Sequence, residues 1–221
     1  MESSPEPQPA GGTEYAAYLL IDDLLELQRP ITEGAHDELL FIIVHQAYEL
    51  WFKLILHEVD LAERELRDGR PAGAIGPLKR VVAITRVLEE QLQVLETMGP
   101  EGFMEFRDPL APASGFQSRQ FREIEASAGP LWEAFSGQVD DLADLYRDHK
   151  HDPDRAVLHV VAELLIDFDE AFARWRHHHV LMAAREIGTR PGTGGSHGVE
   201  YLKTTLDKRF FGALWDVRSA L

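Results

Sequence analysis

Cysteine is absent from all 221 residues. That absence excludes disulfides, thiolate-ligated or thioether-linked haem, iron–sulfur clusters and cysteine-based zinc sites. An excess of basic charge is also missing: 38 acidic against 22 basic side chains leave a formal charge of −16. Such a chain lacks the footprint that neutralises phosphates, which argues against DNA, RNA or an anionic membrane as a partner. A small acidic substrate stays open, because one placed arginine acts locally against the overall field. The opening MESSPEPQPAGGTEY has no basic stretch followed by an apolar one, so it does not read as a signal peptide. Its Pro, Ser and Glu content reads as a disordered tail over residues 1–12. The most apolar run, Leu39 to Leu56, contains His45, Gln46, Glu49 and Lys53, more polar groups than a membrane span tolerates. These absences point to the cytoplasm. Strand signals are nearly absent as well, with no alternating Val/Ile/Thr run bounded by hairpin turns.

What is present is helical periodicity, over a chain that is 44% hydrophobic and able to bury a core. The pattern predicts one all-α domain over residues 13–221. Thr13 is the expected cap of a helix to about Gln28, stopped by Pro30. Asp37 opens a long helix to about Arg67, and a third runs from about Ile75 to Met98 before Gly99-Pro100. Residues 101–118, EGFMEFRDPLAPASGFQS, combine prolines, glycines and serines with aromatic side chains and predict a packed loop. Helices follow near Arg119–Ala126 and Leu131–Asp148, then a turn at HKHDPD. The longest helix spans about Asp154 to Gly188, followed by the glycine-rich GTRPGTGGSHG and a last helix at about Val199–Lys208.

Two histidines fall on apolar stripes. In the longest helix, Val161, Leu165, Phe168, Phe172, Trp175, His179 and Met182 recur every third or fourth position. His177 and His178 point roughly 200° and 100° away from His179, at about 3.6 residues per turn. The run of three histidines is therefore not one cluster. The helix from Asp37 repeats the pattern with Phe41, His45, Tyr48, Phe52, Leu56 and Val59. A buried imidazole without a partner costs roughly 1–3 kcal/mol, so each stripe histidine needs a hydrogen bond or a metal. Both a satisfied core histidine and a ligand meet that need; a haem between the helices would use one as ligand and the other as a distal polar group. A carboxylate-bridged di-iron centre needs two Glu-x-x-His pairs on helices. The chain has one, Glu33 to His36, in a Pro/Gly-flanked loop, which excludes that centre. Arg107 sits beside Phe103, Met104 and Phe106 and before Asp108-Pro109. It either pairs with a carboxylate such as Asp108 or grips a ligand's carboxylate as a fork. The loop GTGGSHG at 192–198 either connects flexibly or cradles an anion; without a following lysine it is not a Walker loop.

HDELLFIIVHQAYELWFKLILHE (His36–Glu58), RDPLAPASGFQSRQFREIE (Arg107–Glu125) and FARWRHHHVLMAAREIG (Phe172–Gly188) with GTGGS at 192–196 resemble the signature segments of tryptophan 2,3-dioxygenases. YAAYLLIDDLLELQ (Tyr15–Gln28) and the C-terminal YLKTTLDKRFFGALWDVRSAL fit the same family, so the likeness covers about three quarters of the chain in the family's order. The resemblance implies an all-α helical bundle enclosing haem b. It implies an enzyme that uses O₂ to open the indole C2–C3 bond of L-tryptophan, giving N-formylkynurenine. By the same likeness His179 is the iron ligand, with Trp175 and Ser114 at the cofactor. His45 is the distal catalytic histidine that bonds the indole N–H, Phe41 is an aromatic wall, Arg107 grips the substrate carboxylate and Thr193 contacts its amino-acid end. Tyr15 and Tyr18 match a pair lining a neighbouring subunit's pocket, which implies a homo-oligomer, normally a tetramer.

Three departures stand out. Phe103 replaces a tyrosine whose hydroxyl assists the arginine, a loss of about 0.5–1.5 kcal/mol. His197 replaces a serine in the loop. The family has a longer helical insert that helps cover the site, where this chain has only residues 126–153. The substrate side is thus trimmed while the iron side is kept. This leaves two further readings: a relative with the same haem core that mono- or dioxygenates a modified tryptophan or another indole, and a non-catalytic haem-binding helical protein.

Overall fold

The computed structural model describes residues 14–195 and 197–221, with Phe116 as backbone only. The expected tail over residues 1–12, the Thr13 cap and Ser196 lie outside the described residues. No strand occurs among those described.

The N-terminal helix is broken in two. α1 (Tyr15–Leu19) and α2 (Ile21–Leu25) meet at Leu20, whose φ of 51° lies in the left-handed region. Neither helix buries a residue, so no packed face holds the segment to a single continuous helix. α3 (Glu38–Arg67) starts after Asp37, as its pattern predicts. α4 (Pro71–Leu95) starts earlier than its pattern, because Pro71 occupies the first position, where a missing N–H is harmless.

Residues 101–118, expected to be a loop, form α5 (Pro100–Leu110) and a 3₁₀ turn at Gly115–Gln117. Pro100 opens the helix and Pro109 falls in its last turn, so the prolines bound it, and Phe103 and Phe106 supply its buried face. α6 (Arg119–Ser136) runs straight through Gly129-Pro130, where a break was expected. Its face of Ile124, Ala128, Leu131 and Phe135 keeps helical spacing across that dipeptide, and the interruption comes at Gly137, before α7 (Leu142–Asp148). α8 (Pro153–Ile187) is capped by the Asp152 side chain and ended by Gly188 at φ 58°. The last predicted helix stops at Lys203 as α9 (Val199–Lys203), and α10 (Gly212–Asp216) follows.

α4 packs against both α3 and α8, and α6 packs against α3. Phe121 at the start of α6 reaches Phe172 and Trp175 of α8, with ring centroids 5.9 and 5.6 Å apart, which closes the bundle. Ile55, Leu78, Leu88, Leu131 and Phe168 are fully buried in its core. Each contributes roughly 1.5–3 kcal/mol of burial. α3 is the one helix among the described residues with the length and apolar content to cross a membrane. Its buried face packs on α4 and α6. A buried carboxylate on α8, Asp169, ties down the C-terminal segment: its Oδ2 accepts from the backbone N–H of Phe210 (3.0 Å) and Phe211 (3.1 Å) and from the Trp215 indole (2.9 Å).

Candidate active site

One end of this bundle is hollow. A cavity of about 940 Å³ lies between the first half of α3, the end of α4, α5, the start of α6 and the second half of α8, with residues 192–195 and, among others, Gly198, Tyr201 and Thr205 along its rim. That is at the upper end of the ~300–1,000 Å³ typical of small-molecule sites. Phe41, His45, Phe103, Arg107, Ser114, Trp175, His179 and Thr193, scattered over the sequence, all line it.

The stripe of α8 presents His179 to the cavity while its neighbours turn away. His177 is exposed, and His178 faces Glu96 at 3.1 Å. Burial pushes the His179 imidazole down to about 4, helped by the nearby imidazoles of His45 and His178. It is therefore neutral at neutral pH, the form that offers a ring nitrogen to a metal. Among the described residues no hydrogen bond holds its ring. Trp175, one turn earlier, stacks on it with centroids 5.4 Å apart and planes 5° from parallel. Trp175 is itself held: its indole N–H donates to the Tyr48 hydroxyl at 3.3 Å, and Tyr48 donates to the Leu88 carbonyl at 2.5 Å. Burial pushes the Tyr48 phenol up to about 12, so it stays a donor.

On α3, His45 lies against Phe41, ring centroids 3.9 Å apart, and its Nδ1 is 2.7 Å from the Phe41 carbonyl. A carbonyl only accepts, so Nδ1 carries the proton and Nε2 is left as an acceptor. Burial lowers the His45 pKa against the opposing effects of that carbonyl and of Glu49, which keeps the ring neutral. Phe103 and Phe106, 5.4 Å apart and edge-on, complete an aromatic wall beside Phe41.

Arg107 donates from Nη2 to the Pro191 carbonyl at 2.7 Å, while its Nε is buried with no partner among the described residues. Its pairing with Asp108 is loose, at 3.7 Å to a side chain that is 93% exposed. One guanidinium N–H thus remains unspent in the cavity wall. The 192–195 stretch is anchored, not slack: Thr193 donates to the Ala113 carbonyl at 2.6 Å. A Cβ on Gly194 would come within 2.6 Å of the Ser114 Cβ, so this approach requires glycine.

Tyr15 and Tyr18 are not brought to this cavity; they are 76% and 73% exposed. Sequence reasoning missed Tyr48 as a support for Trp175, and it missed Glu186. Glu186 lines the cavity and is only 6% exposed. The signal was available: Glu186 is the next step after Met182 on the stripe that singled out His179.

The family model described as tryptophan 2,3-dioxygenase matches residues 2–136 and 132–221, nearly the whole chain. The chain belongs to the tryptophan 2,3-dioxygenase family. It is 40% identical over 251 residues to a tryptophan 2,3-dioxygenase of Nocardioides sp., with 94% of each chain covered. The tryptophan 2,3-dioxygenase of Anaeromyxobacter sp. (strain K) is 39% identical over 254 residues, covering 94% of this chain and 96% of that one. That of Herpetosiphon aurantiacus is 38% identical over 258 residues, covering 94% and 98%.

The aligned stretch with the Nocardioides tryptophan 2,3-dioxygenase is 251 positions long against a chain of 221 residues, so at least 30 of that relative's positions have no counterpart here. The family match splits at 132–136, which places the shortening at the end of α6. Whether the shortened 126–153 segment covers the site is left open by the sequence. No residue from 126 to 153 lines the cavity. Gln138 instead donates to the Leu66 carbonyl at 2.7 Å, at the far end of α3. The shortening lies at the opposite end of the bundle from the site.

Proposed function

We propose that the chain is a haem-dependent dioxygenase that adds O₂ across the indole C2–C3 bond of L-tryptophan, giving N-formylkynurenine, and works as a cytoplasmic homotetramer. The cavity residues fit a haem. Among the described residues His179 is a neutral imidazole free of competing hydrogen bonds and the buried Nε of Arg176 lacks a partner and suits an anionic group, while the surrounding walls are largely apolar. His179 would hold the iron, with Trp175 and Ser114 beside the cofactor. Bound there, haem b would supply O₂ activation.

The chain's own residues do the rest. The unspent N–H of Arg107 and its neighbours on the fork take the substrate carboxylate. Thr193, pinned to Ala113, presents the loop to the same end of the amino acid. Phe41 and Phe103 flank the indole, and Nε2 of His45 accepts the indole N–H. Holding both ends of the substrate in a water-poor pocket replaces a bimolecular encounter with a fixed geometry. Phe103 contributes wall but no hydroxyl, so Arg107 carries the carboxylate with one donor fewer. Tyr15 and Tyr18, exposed on their own chain, are the residues that would close a neighbouring copy's pocket.

The observation that carries this reading is the meeting in one cavity of a neutral His179, an acceptor nitrogen on His45 and an unpaired Arg107 N–H. The test is mass spectrometry of the products formed by the reduced, haem-loaded protein from L-tryptophan and O₂. Gain of two oxygen atoms is expected. Gain of one, or turnover only of other indoles, replaces this reading with that of an oxygenase for a different indole.

A further inference from the structure

We propose that Glu186 is a second polar anchor in this cavity, one that takes a hydrogen-bond donor of the bound amino acid. The inference rests on the reading that an indole amino acid occupies the site. Glu186 stands two turns beyond His179 on the cavity-facing stripe of α8, about 10 Å along the axis at ~1.5 Å per residue. It is 6% exposed, and its Oε2 is buried with no hydrogen-bond partner among the described residues. Its charged surroundings do not compensate it. Burial disfavours its charge and Glu96 and Glu101 repel it; Arg185, the cation acting on it among the described residues, opposes them but also lies 4.0 Å from Glu96. A buried carboxylate oxygen without a donor is rare in a folded protein because it forfeits its hydration for nothing. Where such an oxygen lines a cavity, the missing donor belongs to what fills the cavity.

The class of that donor follows from the other unspent groups. Among the described residues Arg107 and Arg176 each keep a buried, unpartnered Nε, and these suit anions. A haem's peripheral polar groups are carboxylates, which Glu186 repels. The donor therefore comes from the substrate: its ammonium group, or a hydroxyl or amino substituent on its ring. Both are N–H or O–H donors to a carboxylate.

Calorimetric titration of the haem-loaded protein separates these two sources, using L-tryptophan, indole-3-propionate (which lacks the ammonium group) and a set of ring-hydroxylated tryptophans. Each is measured on the unaltered protein, Glu186→Gln and Glu186→Leu, with haem stoichiometry and helical circular dichroism as the check on folding. If Glu186 holds the ammonium, the preference for tryptophan over indole-3-propionate drops about tenfold in Glu186→Leu and less in Glu186→Gln. If it holds a ring substituent, the preference for one hydroxytryptophan over tryptophan drops instead. Both preferences unchanged in folded, haem-loaded variants overturn the proposal, since Glu186 is then satisfied without the substrate. Should the unaltered protein bind none of the ligands, the functional reading fails and this inference with it; tryptophan binding that is indifferent to Glu186 sinks this inference alone.

Discussion

His179 shows how much of a site depends on the residues behind it. A histidine ligand ordinarily donates its second ring nitrogen to a carbonyl or carboxylate, which fixes the plane of the ring. Here the plane is set by the Trp175 stack, and Trp175 is set by Tyr48. Tyr48→Phe should keep haem stoichiometry while shifting the ferrous iron–histidine stretching band, and should cost about 1–2 kcal/mol in denaturant unfolding from the lost hydrogen bonds. An unshifted band in that variant would show that the stack orients His179 without help from Tyr48. Arg107 poses a simpler question at the same scale. Its Asp108 contact is too loose and exposed to be its purpose. Arg107→Ala should raise KM for tryptophan by about 100-fold, the loss of a charge-assisted fork, yet leave KM for a carboxylate-free indole within about threefold. Equal changes for both substrates would assign Arg107 to loop support through Pro191.

At the scale of elements, the legible parts were those whose apolar residues repeat over several turns. α3 and α8 carry stripes long enough to fix both their extent and the inward histidines. α5 was hidden because prolines read as breakers unless their place in the helix is known: Pro100 at the first position is harmless, and Pro109 falls where the helix is ending. The unbroken α6 was hidden because the packing of Leu131 and Phe135 outweighs the local cost of Gly129-Pro130. Glu186 went unread because a carboxylate on an apolar stripe looks like its end. The C-terminal segment has little helix of its own, and Asp169 is one of the side chains that tie it down. Asp169→Ala would strand three donors, two of them backbone, and should destabilise the fold by about 3 kcal/mol or more, with the loss tracked by the Trp215 environment in denaturant melts. Where α7 meets α8, His149 and His159 stack at 3.7 Å with planes 6° apart. Burial and the His149 ring lower the His159 pKa, with Glu163 opposing and Arg218 and Lys150 reinforcing. The neutral ring is therefore favoured on folding, and the unfolded chain binds more protons as pH falls below 6.5, so stability should decline there. Urea midpoints between pH 7.5 and 5.5 should fall less in His159→Phe than in the unaltered protein; equal falls would place the acid sensitivity elsewhere.

On the scale of the whole molecule, the two ends of the bundle carry different burdens. The shortened end, with Gln138, α7 and the C-terminal turn, is packed against itself and lies away from the cavity. The site end gathers the residues to which the family resemblance gives a role, Phe103 standing where it has a tyrosine, but not Tyr15 and Tyr18, which sit on a segment with no buried residue in its own chain. Leu20, Leu25, Leu27 and Ile31 are exposed along the same stretch, at 62%, 67%, 56% and 66%. So much apolar surface on one short segment is a surface made to be covered. If a second copy covers it, each pocket is assembled from two chains, and that can be tested by complementation. Tyr18→Ala spoils the pocket that a chain reaches into, whereas Arg107→Ala spoils the pocket that it owns. Mixed oligomers of the two variants contain sites in which the Tyr18→Ala chain supplies an intact Arg107 and the Arg107→Ala chain supplies an intact Tyr18. Co-expression should therefore recover tryptophan turnover well above either variant alone, with mass photometry reporting tetramers throughout. If each pocket were closed by its own chain, every site in the mixture would carry one lesion, and activity would stay at the average of the two defective parents.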